Sequence, residues 1–589
     1  MIVLDQRPDL TEWLTAAVFI SWAAMAIVLI LGWPRFPTST RWRAAGLGTT
    51  VAVSLAHQML FYTVTEDAFI TYRYALNLAE GRGLVFNPGE RVEGYSNFLW
   101  TVVVAIPQAI AGRGIMAVSI ALGMACTVGC VVLAYLLTNR IVASAGSKSR
   151  AEVGRFGLLA AALTAVAGSL AAYASSGMES SLFTLLVLAT CFAVFTDHHF
   201  TAGVLAALGT MTRPDGALVA VVVLGSLLAG RGDRVSRPRP VVLYTAGVLV
   251  LAVPWTVWRL LYYGHLLPNT LAAKSGGALG WQLSEGLKYF ADFGLAHHGL
   301  LLVAVAGATV LALHGKAGPA ASSKPARHAV WLLFTIAVAY TLFVVYVGGD
   351  YMAAWRFFAP VPPLLATATA SATGIVLAGR ATDRQDLEVR PTHQDAHRGL
   401  PLVTATLCLM SLLISVMAPR MAPLIHTGGR YTAALAEIGD WFHARLEPGT
   451  VISTVANGAI SYNAGPEIVV VDALGLTDEH IGRQGTKDNP IHVAGHISND
   501  WEYVVNERRP SLVIVTGRGY ATSQPCAVDA RYAGAFRHWV ENGSYRTATF
   551  RRDGQQNWVV VYLRSDRFPD LRAALDGDPR FTYVPCPGQ

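Results

Sequence analysis

The chain has 589 residues, 53% of them hydrophobic and only 14% charged, with a mean hydropathy of +0.42. That much apolar residue with so little charge excludes a wholly soluble protein and places most of the chain in lipid. The formal net charge of +7 does not point to nucleic acid, because the excess Arg and Lys sit in short loops between apolar runs, where they orient a membrane chain.

In chain order, apolar runs fall near 11–32, 43–64, 97–112, 115–138, 156–173, 181–196, 199–212, 217–230, 241–262, 298–314, 329–347, 359–378 and 400–419. A span needs about 20 residues. The first run is longer than a signal core and ends in Trp33-Pro34-Arg35 without a small-residue cleavage site, so it reads as a span. The run at 97–112 is short and carries Pro107, which makes it an interfacial or re-entrant segment. With that run not crossing, the basic loops around Arg41, Arg150, Arg234, Lys316 and Arg390 all fall on one side, the cytoplasmic one. The expectation is a polytopic all-α bundle of about 12 spans plus interfacial helices. It sets the loops 65–96, 174–180, 213–216, 263–297 and 348–357 on the external face of the plasma membrane. The segment 379–399 reads as a flexible cytoplasmic loop.

After residue 419 the character changes. Short β-rich runs such as 451–455, 468–472, 512–516 and 558–563 alternate with helical candidates, of which 431–446 is the clearest. The chain therefore divides into a membrane domain, 1–419, and an external soluble α/β or α+β domain, 420–589. In that second part Trp441, Trp501, Tyr503, Trp539 and Trp558 are either stacking surfaces for a glycan or core. Cys126, Cys130, Cys191 and Cys408 lie in apolar runs and read as packing residues, whereas Cys526 and Cys586 form a candidate disulfide in an oxidising compartment.

Five polar motifs fall on the predicted external face. The first opens with the carboxylate pair Glu66-Asp67, followed by Arg73 and, after the turn signal Asn87-Pro88-Gly89, by Glu93, Tyr95 and Asn97. Residues 68–80 are expected to form a surface helix, and a salt-bridge network is the competing account of these charges. An acid pair at a membrane face can take a proton from a hydroxyl or hold Mg²⁺, Mn²⁺ or Ca²⁺; no His/Cys spacing suggests zinc. Glu179, in Ser175–Ser180, and Arg213, in Thr212-Arg213-Pro214-Asp215-Gly216, follow, the latter also readable as an intra-turn ion pair with Asp215. Next come Arg259, His265, Asn269 and Lys274, whose cations suit a lipid-borne phosphate. Last are Asp350 and Arg356, in an aromatic stretch that also fits membrane-interface anchoring. Several polar clusters converging on one face of a bundle mark a substrate path.

Together these residues resemble the GT-C class of integral-membrane glycosyltransferases, most of all the actinobacterial terminal arabinofuranosyltransferases. The resemblance rests on Glu66-Asp67-Ala68-Phe69-Ile70 with Gly83–Glu93, on Pro268-Asn269-Thr270 with Lys274, on Asp350 with Arg356, and on Val471–Asp478. It implies transfer of a sugar from a polyprenyl-phosphate donor to a cell-envelope glycan, with no nucleic-acid partner and no established cofactor. Asp67 would be the essential acid, assisted by Glu66. Arg259, His265, Lys274 and Arg356 would meet the donor phosphate, and Arg73, Glu93, Tyr95, Asn97, Glu179, Arg213, Asn269 and Asp350 the remaining substrate. The family often has Asp-Asp where this chain has Glu66-Asp67. Two other readings compete. A lipid or glycan flippase would carry ionisable groups in mid-span, and here the charges gather at one end. A non-catalytic envelope assembly protein would have no need of intact carboxylates.

Overall fold

The computed structural model describes residues 8–145, 154–229, 238–297, 324–383, 399–487, 497–515, 519–528, 534 and 536–587. Five described helices are long and apolar enough to cross a membrane: Leu10–Gly32 within α1 (Pro8–Gly32), α5 (Ile115–Ser144), α11 (Arg239–Tyr263), and the later helices Lys324–Tyr346 and Gly399–Met417. Between them stand α2 (Thr40–Leu60), α6 (Arg155–Ala165), α7 (Gly168–Ala172), α8 (Ser180–Phe195), α9 (His199–Thr212), α10 (Gly216–Ala229) and Val361–Asp383. The chain is a membrane protein. Close helix approach comes from small residues where it is tightest: a Cβ at Gly203 of α9 would strike the Tyr244 carbonyl of α11, and one at Gly247 would strike that of Phe200.

The segment at 97–112 is α4 (Phe98–Ala111), 14 residues with Pro107 inside. At 1.5 Å per residue it reaches about 21 Å, short of a hydrocarbon core of about 30 Å. It packs on α3 (Ala68–Ala79) and α5.

One end of the bundle is tied together by polar bonds. Ser175 Oγ donates to the Phe61 carbonyl (3.1 Å), and Thr65 N donates to the Ser176 carbonyl (3.0 Å). Seated on that end is a mixed six-stranded sheet, in the order β2-β1-β3-β5-β4-β6. Its strands are β1 (Val451–Thr454), β2 (Val469–Asp472), β3 (Leu512–Ile514), β4 (Tyr545–Arg552), β5 (Asn557–Arg564) and β6 (Phe581–Tyr583). β1 runs parallel to β2 and β3, and the β5-β4-β6 half is antiparallel. The helix Ala422–Arg445 leads in from the bundle. Its Trp441 is fully buried against Phe581 (4.4 Å between ring centroids) and Phe550 (4.9 Å). Trp501 and Trp539 are also buried, so these three side chains serve the core.

The helix expected on the surface at 68–80 is α3, and it is buried: Phe69, Tyr72, Arg73 and Tyr74 are all covered. The sheet domain lies over it. Arg73 ties the two parts, donating to the carbonyls of Phe86 (2.8 Å), Gly465 (3.0 Å), Ile468 (2.8 Å) and Ser461, and to Asn87 Oδ1 (3.2 Å). Asn87 Nδ2 in turn donates to the Val470 carbonyl (2.9 Å).

Cys526 and Cys586 are joined in a disulfide, with Cα atoms 5.6 Å apart and a sequence separation of 60. A loop of that length is worth about 2–4 kcal/mol. The double variant Cys526→Ser/Cys586→Ser should lose about that much stability in the sheet domain. Thermal unfolding of the full chain, followed by fluorescence of the domain's tryptophans without reductant, reads the loss; an unchanged midpoint would remove the bond's structural role.

Candidate active site

The acid pair immediately precedes α3, with Asp67 at its N-cap position, and each member has a different environment. Glu66 points at the sheet domain, where its Oε1 accepts from the backbone N–H groups of Gly458 and Ala459 (3.3 Å to the latter). Glycine is required at 458, because a Cβ there would strike the Glu66 backbone carbonyl. Burial, and then the neighbouring Asp67 charge, push the Glu66 carboxyl well above the usual carboxylate range.

Asp67, whose carboxyl also lies within hydrogen-bond reach of Glu66, faces the bundle end. Its Oδ1 accepts from the Tyr351 hydroxyl (3.0 Å), and its Oδ2 lies 3.7 Å from Arg356 Nη1. Arg356 Nε is 2.7 Å from Asp350 Oδ2, with its N–H pointing off that line. Arg356 thus lies between two carboxylates. It is carried by a short turn, Ala353–Phe358, in which Ala354 and Trp355 take left-handed φ of 57° and 51°. Two successive non-glycine residues in that region store strain that only packing can hold. The packing is visible: Tyr173 Oη donates to the Ala353 carbonyl (2.6 Å), and Phe358 stacks on Phe293 (4.4 Å) and Tyr289 (5.3 Å).

Lys274 ends α12 (Asn269–Lys274) and lies within electrostatic reach of Asp67, Asp350 and Arg356. Burial draws its ammonium below the ordinary lysine value, with the Asp67 charge opposing. Burial, then the charges of Asp67 and Asp350, push the Tyr351 phenol well above its ordinary value, so it stays protonated and keeps donating. Both side chains retain solvent-accessible surface although dense protein surrounds them, so they line a recess and not a flat surface.

The sheet domain positions Lys274. Asn269 Nδ2 donates to the carbonyls of Gly475 (2.8 Å) and Asp478 (2.9 Å). Ser498 Oγ donates to the Ala273 carbonyl (2.7 Å), and Lys487 Nζ to the Ala272 carbonyl (2.9 Å). The loop that offers those first carbonyls is shaped by Asp472, whose carboxylate accepts from the N–H groups of Leu474 and Thr477, both at 2.9 Å. Burial raises that carboxyl to about 6. The stretches 268–274 and 471–478, separate in sequence, therefore interlock.

A second network lies beneath the recess. Arg213 forks onto Asp215 (Nε to Oδ1 3.1 Å, Nη2 to Oδ2 2.9 Å) and reaches Glu179 Oε1 (3.2 Å). Tyr340 Oη donates to Asp215 Oδ2, and Asn97 Nδ2 donates to Glu179 Oε2 (3.0 Å). The Phe357 ring is within cation–π distance of two guanidiniums, Arg213 at 4.9 Å and Arg356 at 5.0 Å.

Of the sequence-derived residues, the structure gathers Glu66, Asp67, Lys274, Asp350 and Arg356 at one recess, with Asn97, Glu179 and Arg213 in the network below it. Arg259 is engaged elsewhere, in a two-pronged pair with Glu93 (3.0 and 2.8 Å) and over Trp255 (4.7 Å). His265 pairs with Glu479 (2.6 Å), and Tyr95 Oη meets Tyr263 Oη at 3.1 Å. Arg73 and Asn269 spend their donors on the sheet domain. Among the described residues, Lys274 alone of Arg259, His265, Lys274 and Arg356 has no carboxylate within ion-pair distance. Tyr351 and Tyr340 were not singled out: the first reads as an interface anchor, and the second sits in an apolar run with no sequence signal. Among the described residues no group of three or more His, Cys, Asp or Glu is arranged to hold a metal ion; the Glu66-Asp67 pair could offer at most two carboxylates.

Comparison with known proteins places this geometry in context. Residues 424–562 match a family model described as a domain of unknown function (DUF8728). The terminal beta-(1->2)-arabinofuranosyltransferase of Mycobacterium tuberculosis is 29% identical over 334 residues, 51% of this chain and 51% of that one. Its namesake from Corynebacterium glutamicum is 27% identical over 49% of this chain and 45% of that one. The chain thus spans about half the length of the curated relatives it matches. Among solved structures, ArnT from Cupriavidus metallidurans bound to undecaprenyl phosphate superposes with a TM-score of 0.51 at 14% identity, over 88% of this chain and 98% of that one. The Archaeoglobus fulgidus oligosaccharyltransferase gives 0.51 at 13% identity, over 91% of this chain and 75% of that one. Both are GT-C glycosyltransferases, and this chain has the GT-C fold: a helical membrane bundle with a small C-terminal sheet domain.

Proposed function

We propose that the chain is a membrane glycosyltransferase that moves a sugar, arabinofuranose as the leading candidate, from a polyprenyl-phosphate donor to a cell-envelope glycan. The observation that carries the reading is the recess itself: an oriented carboxylate, Asp67, and an ammonium without a carboxylate partner, Lys274, face one space at the end of a GT-C bundle. Asp67 takes the acceptor hydroxyl's proton as that oxygen bonds to the anomeric carbon, and the sugar–phosphate bond breaks. If the configuration is retained, Asp67 is instead the nucleophile. Lys274 stabilises the departing phosphate, and Arg356, already shared by Asp350 and Asp67, orients the base. Residues 1–419 form the membrane domain in this reading, and 420–589 an external domain that grips α12 and holds the acceptor.

Purified full-length protein, given radiolabelled polyprenyl-phosphate arabinofuranose and an arabinan acceptor, should form labelled glycan. Lys274→Met should raise KM for the donor by about tenfold or more, the scale of one charge-assisted phosphate contact. An unchanged KM would remove Lys274 from the donor site; no transfer of any polyprenyl-linked sugar would overturn the reading.

Orientation has its own test. A cysteine at the exposed Gln556 should react with a membrane-impermeant maleimide in intact cells, whereas one at the exposed His198 should react only after permeabilisation. The reverse pattern would place the recess in the cytoplasm.

A further inference from the structure

A cavity of about 1160 Å³ lies among the described residues away from the catalytic recess. It is a partly open cleft between α5, α8, α9, α10 and the helix Lys324–Tyr346, walled by side chains such as Leu133, Phe192 and Leu332. Helix geometry locates it. On α5, Ser119 bonds Tyr72 beneath the acid pair, and Arg140 on the cleft's rim lies 21 residues further on, about 31 Å at 1.5 Å per residue. On Lys324–Tyr346, Tyr340 bonds Asp215 of the recess network, and His328 on the rim lies three turns back. The cleft therefore opens about one hydrocarbon thickness away from the recess, in the opposite leaflet.

The rim differs from the walls. It carries Arg140, His198, His199 and His328, with Asp197, 3.6 Å from His199, as the one carboxylate among the described lining residues. His198 Nδ1 lies 3.1 Å from Thr196 Oγ1, and His328 Nε2 lies 2.8 Å from Ser226 Oγ. Arg327 stands on the same helical turn as His328. A volume above the roughly 300–1,000 Å³ of small-molecule sites, apolar through the depth of a leaflet and with the Arg140 guanidinium and three imidazoles gathered at its mouth, matches the shape of a two-chain lipid and offers donors to an anionic headgroup. Its acyl chains would replace contacts that the helices do not make with one another, and its phosphate would meet Arg140.

We propose that this cleft binds one anionic phospholipid of the leaflet opposite the catalytic recess, with its chains against Leu133, Phe192 and Leu332 and its phosphate at Arg140 and His328. The proposal stands independently of the transfer reaction.

The test uses the full chain, stripped of lipid in detergent and titrated with phosphatidylglycerol or phosphatidylcholine while bound lipid is counted by native mass spectrometry. One phosphatidylglycerol should bind with at least about tenfold preference over phosphatidylcholine, and Arg140→Gln should remove that preference by weakening the anionic lipid about tenfold. Leu133→Trp, which fills the cleft, should lower uptake of both lipids. Arg140 is exposed on the rim, so its exchange carries the test should the tryptophan variant fail to fold. Equal uptake of the two lipids, or a wild-type preference in Arg140→Gln, overturns the proposal. So does tighter binding of undecaprenyl phosphate than of phosphatidylglycerol in a manner that Leu133→Trp abolishes.

Discussion

Asp67→Asn should lower transfer by roughly 100- to 10,000-fold, the range for loss of a positioned acid–base group, while the protein still folds and inserts. The exchange keeps the volume, and the amide oxygen can still accept from Tyr351 Oη, so the local geometry has little reason to move. What it loses is basicity, nucleophilicity and the charge 3.7 Å from Arg356. Asp67 is about one-fifth exposed and Arg356 keeps Asp350 as a partner, so the stability cost should stay below the roughly 3–5 kcal/mol of orphaning a buried charge. Glu66→Gln should be far milder, under about tenfold in rate. Its amide oxygen still accepts from Gly458 and Ala459, and its neutral form copies a carboxyl that burial already holds toward protonation. The sign follows: protonated Glu66 is the species that persists to higher pH, so wild-type transfer should fall on the alkaline side as Glu66 ionises beside Asp67, and Glu66→Gln should lack that limb. Single-turnover transfer with labelled donor, measured across pH for both variants, checks the pair. Wild-type turnover by Asp67→Asn would remove it from the chemistry.

How far the sequence could lead depended on the range of the interaction. Composition, run length and loop charge are local quantities, and they suffice for a membrane bundle, for a short apolar α4 and for a β-containing C-terminal part. The placing of α3 was not accessible to them: a polar-flanked stretch of 12 residues reads as surface until one knows that a domain some 390 residues later covers it through Arg73. Arg259 illustrates the same limit. As a basic residue near a membrane face it invites a phosphate, and only the fold brings Glu93, 166 residues away in sequence, to neutralise it. Tyr340 had no signal at all, because one hydroxyl in an apolar helix changes neither hydropathy nor period. Arg213 with Asp215 was legible as an ion pair two residues apart, whereas the participation of Glu179 and the Phe357 ring was not.

That network should make Arg213 the most structurally costly position near the recess. The Arg213, Glu179 and Asp215 side chains are about 10%, 6% and 5% exposed. Arg213→Met fills similar space but leaves two carboxylates buried with, among the described residues, only Asn97 and Tyr340 as side-chain donors. Removing one partner from a buried ion network costs about 3–5 kcal/mol, because the remaining charges stay desolvated without compensation. Thermal unfolding in detergent should show a loss on that scale, against the roughly 0–1 kcal/mol of a surface pair. Arg213→Lys should recover little. A single ammonium cannot reproduce the fork onto Asp215, reach Glu179 and lie against Phe357 at once. Neutralising the orphaned acids should do better: adding Glu179→Gln and Asp215→Asn to Arg213→Met replaces buried charge with amides and should restore most of the stability. A restored melting point with transfer still impaired would assign Arg213 a second task, holding Phe357 and, through it, Arg356 beside Asp67. Arg213→Met as stable as wild type would mean that water reaches this network at the floor of the recess.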